Sequence, residues 1–192
     1  MRKFIVVAAL SMLTSCAGSD SNKGDETTKD APLTQSKNSS DFNVKFTTFL
    51  DNYYHLKDAF VLSNEAMAVT SANLLAGSAD SVHFNTIKVD SNITQMANGY
   101  MQTITSEAKA LVQEKDIEAK RKSFQMISDA MYDLVRTVRF DKQVVYHQFC
   151  PMAFNDAGAY WLSSSADVKN PYYGKKMLTC GEVKDSIDFR GK

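Results

Sequence analysis

From Phe42 to Val138 the large apolar residues of this chain recur every three or four positions, a spacing that makes helices the main building element. The first run reads Phe46, Phe49, Tyr53, Leu56 and Phe60, and continues through Val61, Met67, Leu74 and Leu75. Ser40 or Asp41 can cap its start and Gly77 can end it in a left-handed turn, so one helix is expected from Phe42 to Ala76. The second run is Ile93, Met96, Ala97, Tyr100, Met101, Ile104, Ala108, Leu111 and Val112, with Gly99 weakening it locally by ~1 kcal/mol. The third, opened by Asp116 as cap, is Ile117, Phe124, Ile127, Met131, Leu134 and Val138. Narrow apolar stripes must be buried lengthwise against one another, so the expected fold class is mainly α, with three long antiparallel helices in a bundle.

After Phe140 the composition changes. Pro151, Gly158, Pro171, Gly174 and Gly181 punctuate the chain, and Phe149, Phe154, Tyr160, Trp161, Tyr172 and Tyr173 crowd between them. This segment reads as a loop-rich aromatic cap. It has room for one short strand pair, beginning at Val144 to Tyr146, and for a helical turn near Ser163 to Val168. Residues 41–192 thus form a single domain, with Trp161 as a core anchor whose indole N–H is satisfied.

The N-terminus sets the compartment. Arg2 and Lys3 precede an apolar run, Phe4 to Leu13, and then Leu13-Thr14-Ser15-Cys16. A basic start, about ten apolar residues and small residues at a cleavage point describe a secretory signal rather than a membrane span, which needs roughly 20 apolar residues. The site looks like a bacterial lipobox: residues 1–15 are removed and Cys16 becomes the lipidated first residue. The stretch 16–40 is rich in Ser, Thr, Asp, Lys and Asn and cannot bury enough apolar surface to order itself, so it reads as a tether reaching roughly 25–30 Å. The expected location is the cell envelope, with the domain facing the periplasm and held to the membrane through the lipid anchor only. Ala17, where an acidic residue would favour inner-membrane retention, points to the outer membrane rather than the inner.

Charge removes one class of partner. Without Arg2 and Lys3 the 22 basic residues fall to 20 against 22 acidic ones, about −2 overall, which is no footprint for nucleic acid. No nucleophile motif, phosphate loop or Cys-x-x-Cys pair is present, and the chain is read as a non-enzyme. His55 and His83 carry no assigned role. Met96, Met101, Met126 and Met131 read as core residues, and Asp116, Glu118 and Lys120-Arg121-Lys122 as a solvated helix face.

The chemistry is concentrated in two strings, His147-Gln148-Phe149-Cys150-Pro151-Met152 and Met177-Leu178-Thr179-Cys180-Gly181. They offer two thiols, two thioethers and an imidazole. Thiolate and thioether are soft donors that select Cu(I) over hard cations, whereas zinc would need a fourth ligand from elsewhere. The same arithmetic admits a disulfide, because Cys150 and Cys180 are the two cysteines left to a domain in an oxidising compartment. Closing that loop would stabilise the fold by roughly 3–4 kcal/mol. The two readings compete, since a disulfide sulfur is a poor ligand beside a thiolate.

The string from Tyr146 to Val183, with CPMAF, WLSS, NPYYG and MLTCG, closely resembles the signature of domain-of-unknown-function family 3347. Tyr54 to Val61 and Arg121 to Val135 are similar to it as well, so the resemblance covers about residues 42 to 188. It implies an envelope lipoprotein, related to domains fused to the C-terminus of periplasmic adaptors of RND-type heavy-metal efflux pumps, and an association with copper or silver handling. Carried over on this resemblance, the metal ligands are Cys150, Met152, Met177 and Cys180, with His147 able to close the site. The expected function is then binding of Cu(I) or Ag(I) in support of copper homeostasis or efflux, with an efflux adaptor or another envelope protein as partner. The alternative is a protein-interaction module stapled by a Cys150–Cys180 disulfide, gripping its partner with Tyr160, Tyr172 and Tyr173.

Overall fold

A computed structural model describes residues 38–87 and 90–191. The signal segment, Cys16 and the tether up to residue 37 lie outside the described residues. The chain is mainly helical with a small antiparallel sheet. Its long helices are α1 (Ser40–Val61), α2 (Glu65–Ala79), α3 (Ser91–Gln113) and α4 (Ile117–Thr137), and its strands are β1 (Val145–Cys150), β2 (Ala159–Ser163) and β3 (Glu182–Ile187). None of the described helices is long and apolar enough to cross a membrane.

Four long helices stand where three were expected, because the first apolar run breaks in two. Ser63 takes a left-handed φ of 51°, and the Asn64 side chain accepts the Met67 N–H at 3.0 Å, capping a new helix. Gly77 lies inside α2 and ends nothing. The apolar spacing crosses the break because both helices bury a stripe: Phe49, Leu56 and Phe60 on α1, and Ala68, Ala72 and Leu75 on α2. The cap of α1 is Ser39 rather than Ser40 or Asp41, its side chain accepting the Phe42 N–H at 3.1 Å. Asp116 caps α4 as expected, accepting the Ala119 N–H at 2.9 Å.

Aromatic rings tie the helices to the sheet. Phe124 of α4 stacks on Tyr53 of α1 with ring centroids 5.6 Å apart, and it also meets Phe60 and Tyr172. The Tyr53 hydroxyl accepts the Leu162 N–H of β2 at 2.9 Å and hydrogen-bonds Ser128 of α4 at 2.8 Å. Tyr53, Phe124 and Trp161 are fully buried, each contributing about 2–3 kcal/mol of apolar burial.

The expected strand pair is a three-stranded sheet in the order β2-β1-β3, antiparallel throughout. β1 is central. Against β2 its register is regular, with His147 opposite Leu162, Gln148 opposite Trp161 and Cys150 opposite Ala159. Against β3 the pairing slips between His147 and Gln148, which face Asp185 and Val183, so Lys184 is the extra residue of a bulge. The expected helical turn near Ser163 to Val168 is a series of bends. The buried Gln148 amide holds it by donating to the Ser165 carbonyl at 3.0 Å and to the Ala166 and Asp167 carbonyls at 3.3 Å.

Candidate functional site

Cys150 is the last residue of β1, and Cys180 lies two residues before its neighbour β3 begins. Pairing of those two strands brings the cysteines together: their sulfurs stand 3.4 Å apart as free thiols. Cys150 is fully buried and Cys180 is partly exposed. The separation falls between two covalent outcomes. A disulfide needs about 2.05 Å, and two metal–sulfur bonds of about 2.3 Å in a line need about 4.6 Å. A sulfur shift of about 1.2–1.4 Å converts the observed pair into either.

The loop that carries Cys180 is held from within. Asn170 is fully buried; its side-chain N–H donates to the Cys180 carbonyl at 2.7 Å, and its side-chain oxygen accepts the Tyr172 and Tyr173 N–H groups at 2.8 and 3.1 Å. Its backbone N–H donates to the Leu178 carbonyl at 2.7 Å. Gly181 follows at a φ of 138°, where an added Cβ would sit 2.7 Å from the Phe149 carbonyl oxygen and 2.9 Å from the Trp161 ring. Only a residue without a Cβ lets the two cysteine-bearing segments approach this closely.

Arg121 anchors the same loop to the helices. Its Nε donates to the Pro171 carbonyl at 2.9 Å, and its Nη atoms reach Glu118 at 2.6 Å, the Ser63 hydroxyl at 3.0 Å and the Phe60 carbonyl at 3.4 Å. Arg121 and Lys120 are both buried, which corrects their reading as part of a solvated face. The partners of Arg121 at Phe60, Ser63 and Pro171 lie 50 to 61 positions away in sequence, so helical spacing gives no sign of them.

The remaining sequence candidates divide. Met177 is half-buried, and its carbonyl accepts the Cys180 N–H at 3.1 Å, so it belongs to the turn that carries the thiol. Met152 is 42 % exposed, two residues past Cys150, with its carbonyl held by the Tyr173 hydroxyl. His147 is not brought to the thiols. It is three residues from Cys150 on a regular strand, and odd separations point to opposite faces. Its ring lies between Tyr132, at a centroid distance of 3.9 Å, and Tyr160, at 4.5 Å. Among the described residues no group of three or more His, Cys, Asp and Glu converges.

Electrostatics favour the neutral forms of Cys180 and His147. The hydrogen bond to Cys150 pushes the Cys180 thiol above its ordinary range, aided by burial and by the charge an ionised Cys150 would carry. A cation binding there must therefore displace protons. Burial between the tyrosine rings lowers His147 to about 4, with Asp185 opposing and Arg136 adding to the shift.

Several other expectations change. Met101 and Met131 are core residues, but Met96 and Met126 are about half exposed. Trp161 is the core anchor expected of it, yet its Nε1 has no hydrogen-bond partner among the described residues. Tyr172 is buried against Phe124, Phe154 and Trp161, so it is no part of an exposed aromatic surface.

A family model described as "Protein of unknown function (DUF3347)" matches residues 49–143. The match runs from Phe49 in α1 through α4 to Gln143, and stops before β1 and both cysteines. No curated protein and no solved structure matches the chain.

Proposed function

We propose, from the premise that the chain belongs to the DUF3347 family, that it is an envelope lipoprotein that takes up a soft cation, Cu(I) or Ag(I), on the sulfurs of Cys150 and Cys180. In this reading α1 to α4 form an antiparallel bundle, the tail caps it, and Cys16 carries the lipid that holds the protein at the periplasmic face of the envelope, in the outer membrane. The observation that carries the reading is the 3.4 Å approach of two free thiols, one of them reachable from outside. Two soft donors within a shift of about 1.2 Å of a linear two-sulfur site suit a soft cation and supply too few ligands for zinc. Met152 and Met177, which lie between the two cysteines in the chain and within three residues of one or the other, are the thioethers able to complete the coordination; His147 is left out of the ligand set. The cation is cargo, and its recipient is a heavy-metal efflux adaptor or another envelope protein.

The same distance favours a second reading, in which the pair closes into a disulfide. The 31-residue loop from Cys150 to Cys180 would then be stapled, and the domain would act by gripping a partner. A thiol count separates the two. The full chain is purified anaerobically without reductant, its free thiols are labelled after denaturation, and the labels are assigned by peptide mapping. Label on both Cys150 and Cys180 supports cation binding; label on neither supports the staple.

A further inference from the structure

We infer that Cys180 is the entry thiol for exchange with small disulfides and Cys150 the resolving thiol, so that oxidation of the pair withdraws both sulfurs from a soft cation. The cation-linked half of this inference rests on the function proposed above; the assignment of the two thiols does not.

The two sulfurs differ in access. Thiol–disulfide exchange needs an attacking sulfur in line with the disulfide it cleaves. Cys150 is fully buried in the central strand of the sheet, opposite Ala159, so a disulfide of glutathione size cannot align with it. Cys180 is partly exposed and sits in a loop beside exposed Leu178 and Thr179. The first step is therefore loss of the Cys180 proton to solvent and attack by the resulting thiolate on one sulfur of the oxidant. A Cys180–glutathione disulfide forms, the oxidant's S–S bond breaks, and one glutathione leaves as thiolate and takes a proton. In the second step the Cys150 sulfur, 3.4 Å away, displaces the remaining glutathione from the Cys180 sulfur. The Cys150 proton passes to the departing thiolate. Two electrons move from the pair to the oxidant, which is reduced to two glutathione thiols as the Cys150–Cys180 bond forms. A thiol at 3.4 Å is within reach of that second displacement, so the mixed disulfide is expected to be short-lived when Cys150 is present.

The test uses oxidised glutathione and the full chain, read by intact mass and peptide mapping. Cys150→Ser is expected to accumulate one glutathione on Cys180, while Cys180→Ser gains none at Cys150 over the same interval and the wild type proceeds to the disulfide without a persistent adduct. A short pulse of iodoacetamide on the reduced wild type, which needs no variant to fold, is expected to label Cys180 at least tenfold faster than Cys150. Equal labelling of the two, or an adduct on Cys150 in Cys180→Ser as fast as that on Cys180 in Cys150→Ser, overturns the assignment. Cu(I) is titrated into the reduced and the oxidised wild type in parallel. Ordered exchange with no Cu(I) uptake by the reduced form refutes the cation reading alone, whereas Cu(I) uptake with unordered exchange refutes this inference alone.

Discussion

Arg121 donates a 2.9 Å hydrogen bond from Nε to the carbonyl oxygen of Pro171, joining the N-terminal part of α4 to the loop that ends at Cys180. The guanidinium also holds Ser63, at the break between α1 and α2, so one buried side chain fixes three segments. Arg121→Ala takes the donor from the Pro171 carbonyl and leaves a cavity behind, and is expected to cost about 2–4 kcal/mol in urea unfolding. Alkylation of Cys180 should also quicken as the loop loosens. Arg121→Lys is expected to recover less than half of the loss, because an ammonium cannot span the same partners. A wild-type thiol reactivity in Arg121→Ala would show that the loop is held without it.

Gly181 is the position where the backbone tolerates least. At a φ of 138°, Gly181→Ala drives its Cβ against the Phe149 carbonyl and the Trp161 ring. The combined backbone strain and overpacking should destabilise by about 2–4 kcal/mol. Near-ultraviolet dichroism should report the disturbance, because Trp161 is the chain's single tryptophan.

The break between α1 and α2 rests on a cap. Asn64→Ala removes the acceptor of the Met67 N–H and is expected to cost about 1 kcal/mol, whereas Asn64→Asp or Asn64→Ser should be nearly neutral. An unchanged midpoint for Asn64→Ala in chemical denaturation would mean that the helix start is fixed by packing instead.

His147 makes stability depend on pH in a defined direction. Its folded value of about 4 lies below the 6.5 of the free side chain, so as pH falls the unfolded chain takes up the proton first. The contribution is whole above pH 6.5 and is lost between 6.5 and 4. For a half-buried ring it is on the order of 1–2 kcal/mol. Unfolding free energies measured across that window should fall with acid in the wild type, and the slope should shrink in His147→Gln. An identical slope in the variant would move the effect to other groups.

The sequence made α3 and α4 legible because each pairs a clean apolar stripe with an identifiable end, Asp116 above all. It hid the break after α1, because the stripe runs on across it; the local signal was Ser63-Asn64-Glu65, a turn residue, a cap and an acidic first turn. Arg121 was illegible, since its partners are backbone carbonyls and a hydroxyl brought in by the fold. The pairing of Cys150 with Cys180 was within reach of simple counting, but His147 was grouped with them by nearness in sequence. Reading Val145–Cys150 as a full strand would have separated it, because alternation places residues 147 and 150 on opposite faces.

The central claim is that the two sulfurs of Cys150 and Cys180 together hold a soft cation. The most direct measurement is an anaerobic competition titration of Cu(I) between a chromophoric chelator and the reduced protein, run on the wild type, Cys150→Ser, Cys180→Ser and His147→Gln. The account predicts one equivalent of Cu(I) bound by the wild type and by His147→Gln, with affinity reduced at least a hundredfold in each cysteine variant. A wild type that takes no Cu(I) from the chelator, or cysteine variants that bind it as tightly as the wild type, would contradict it.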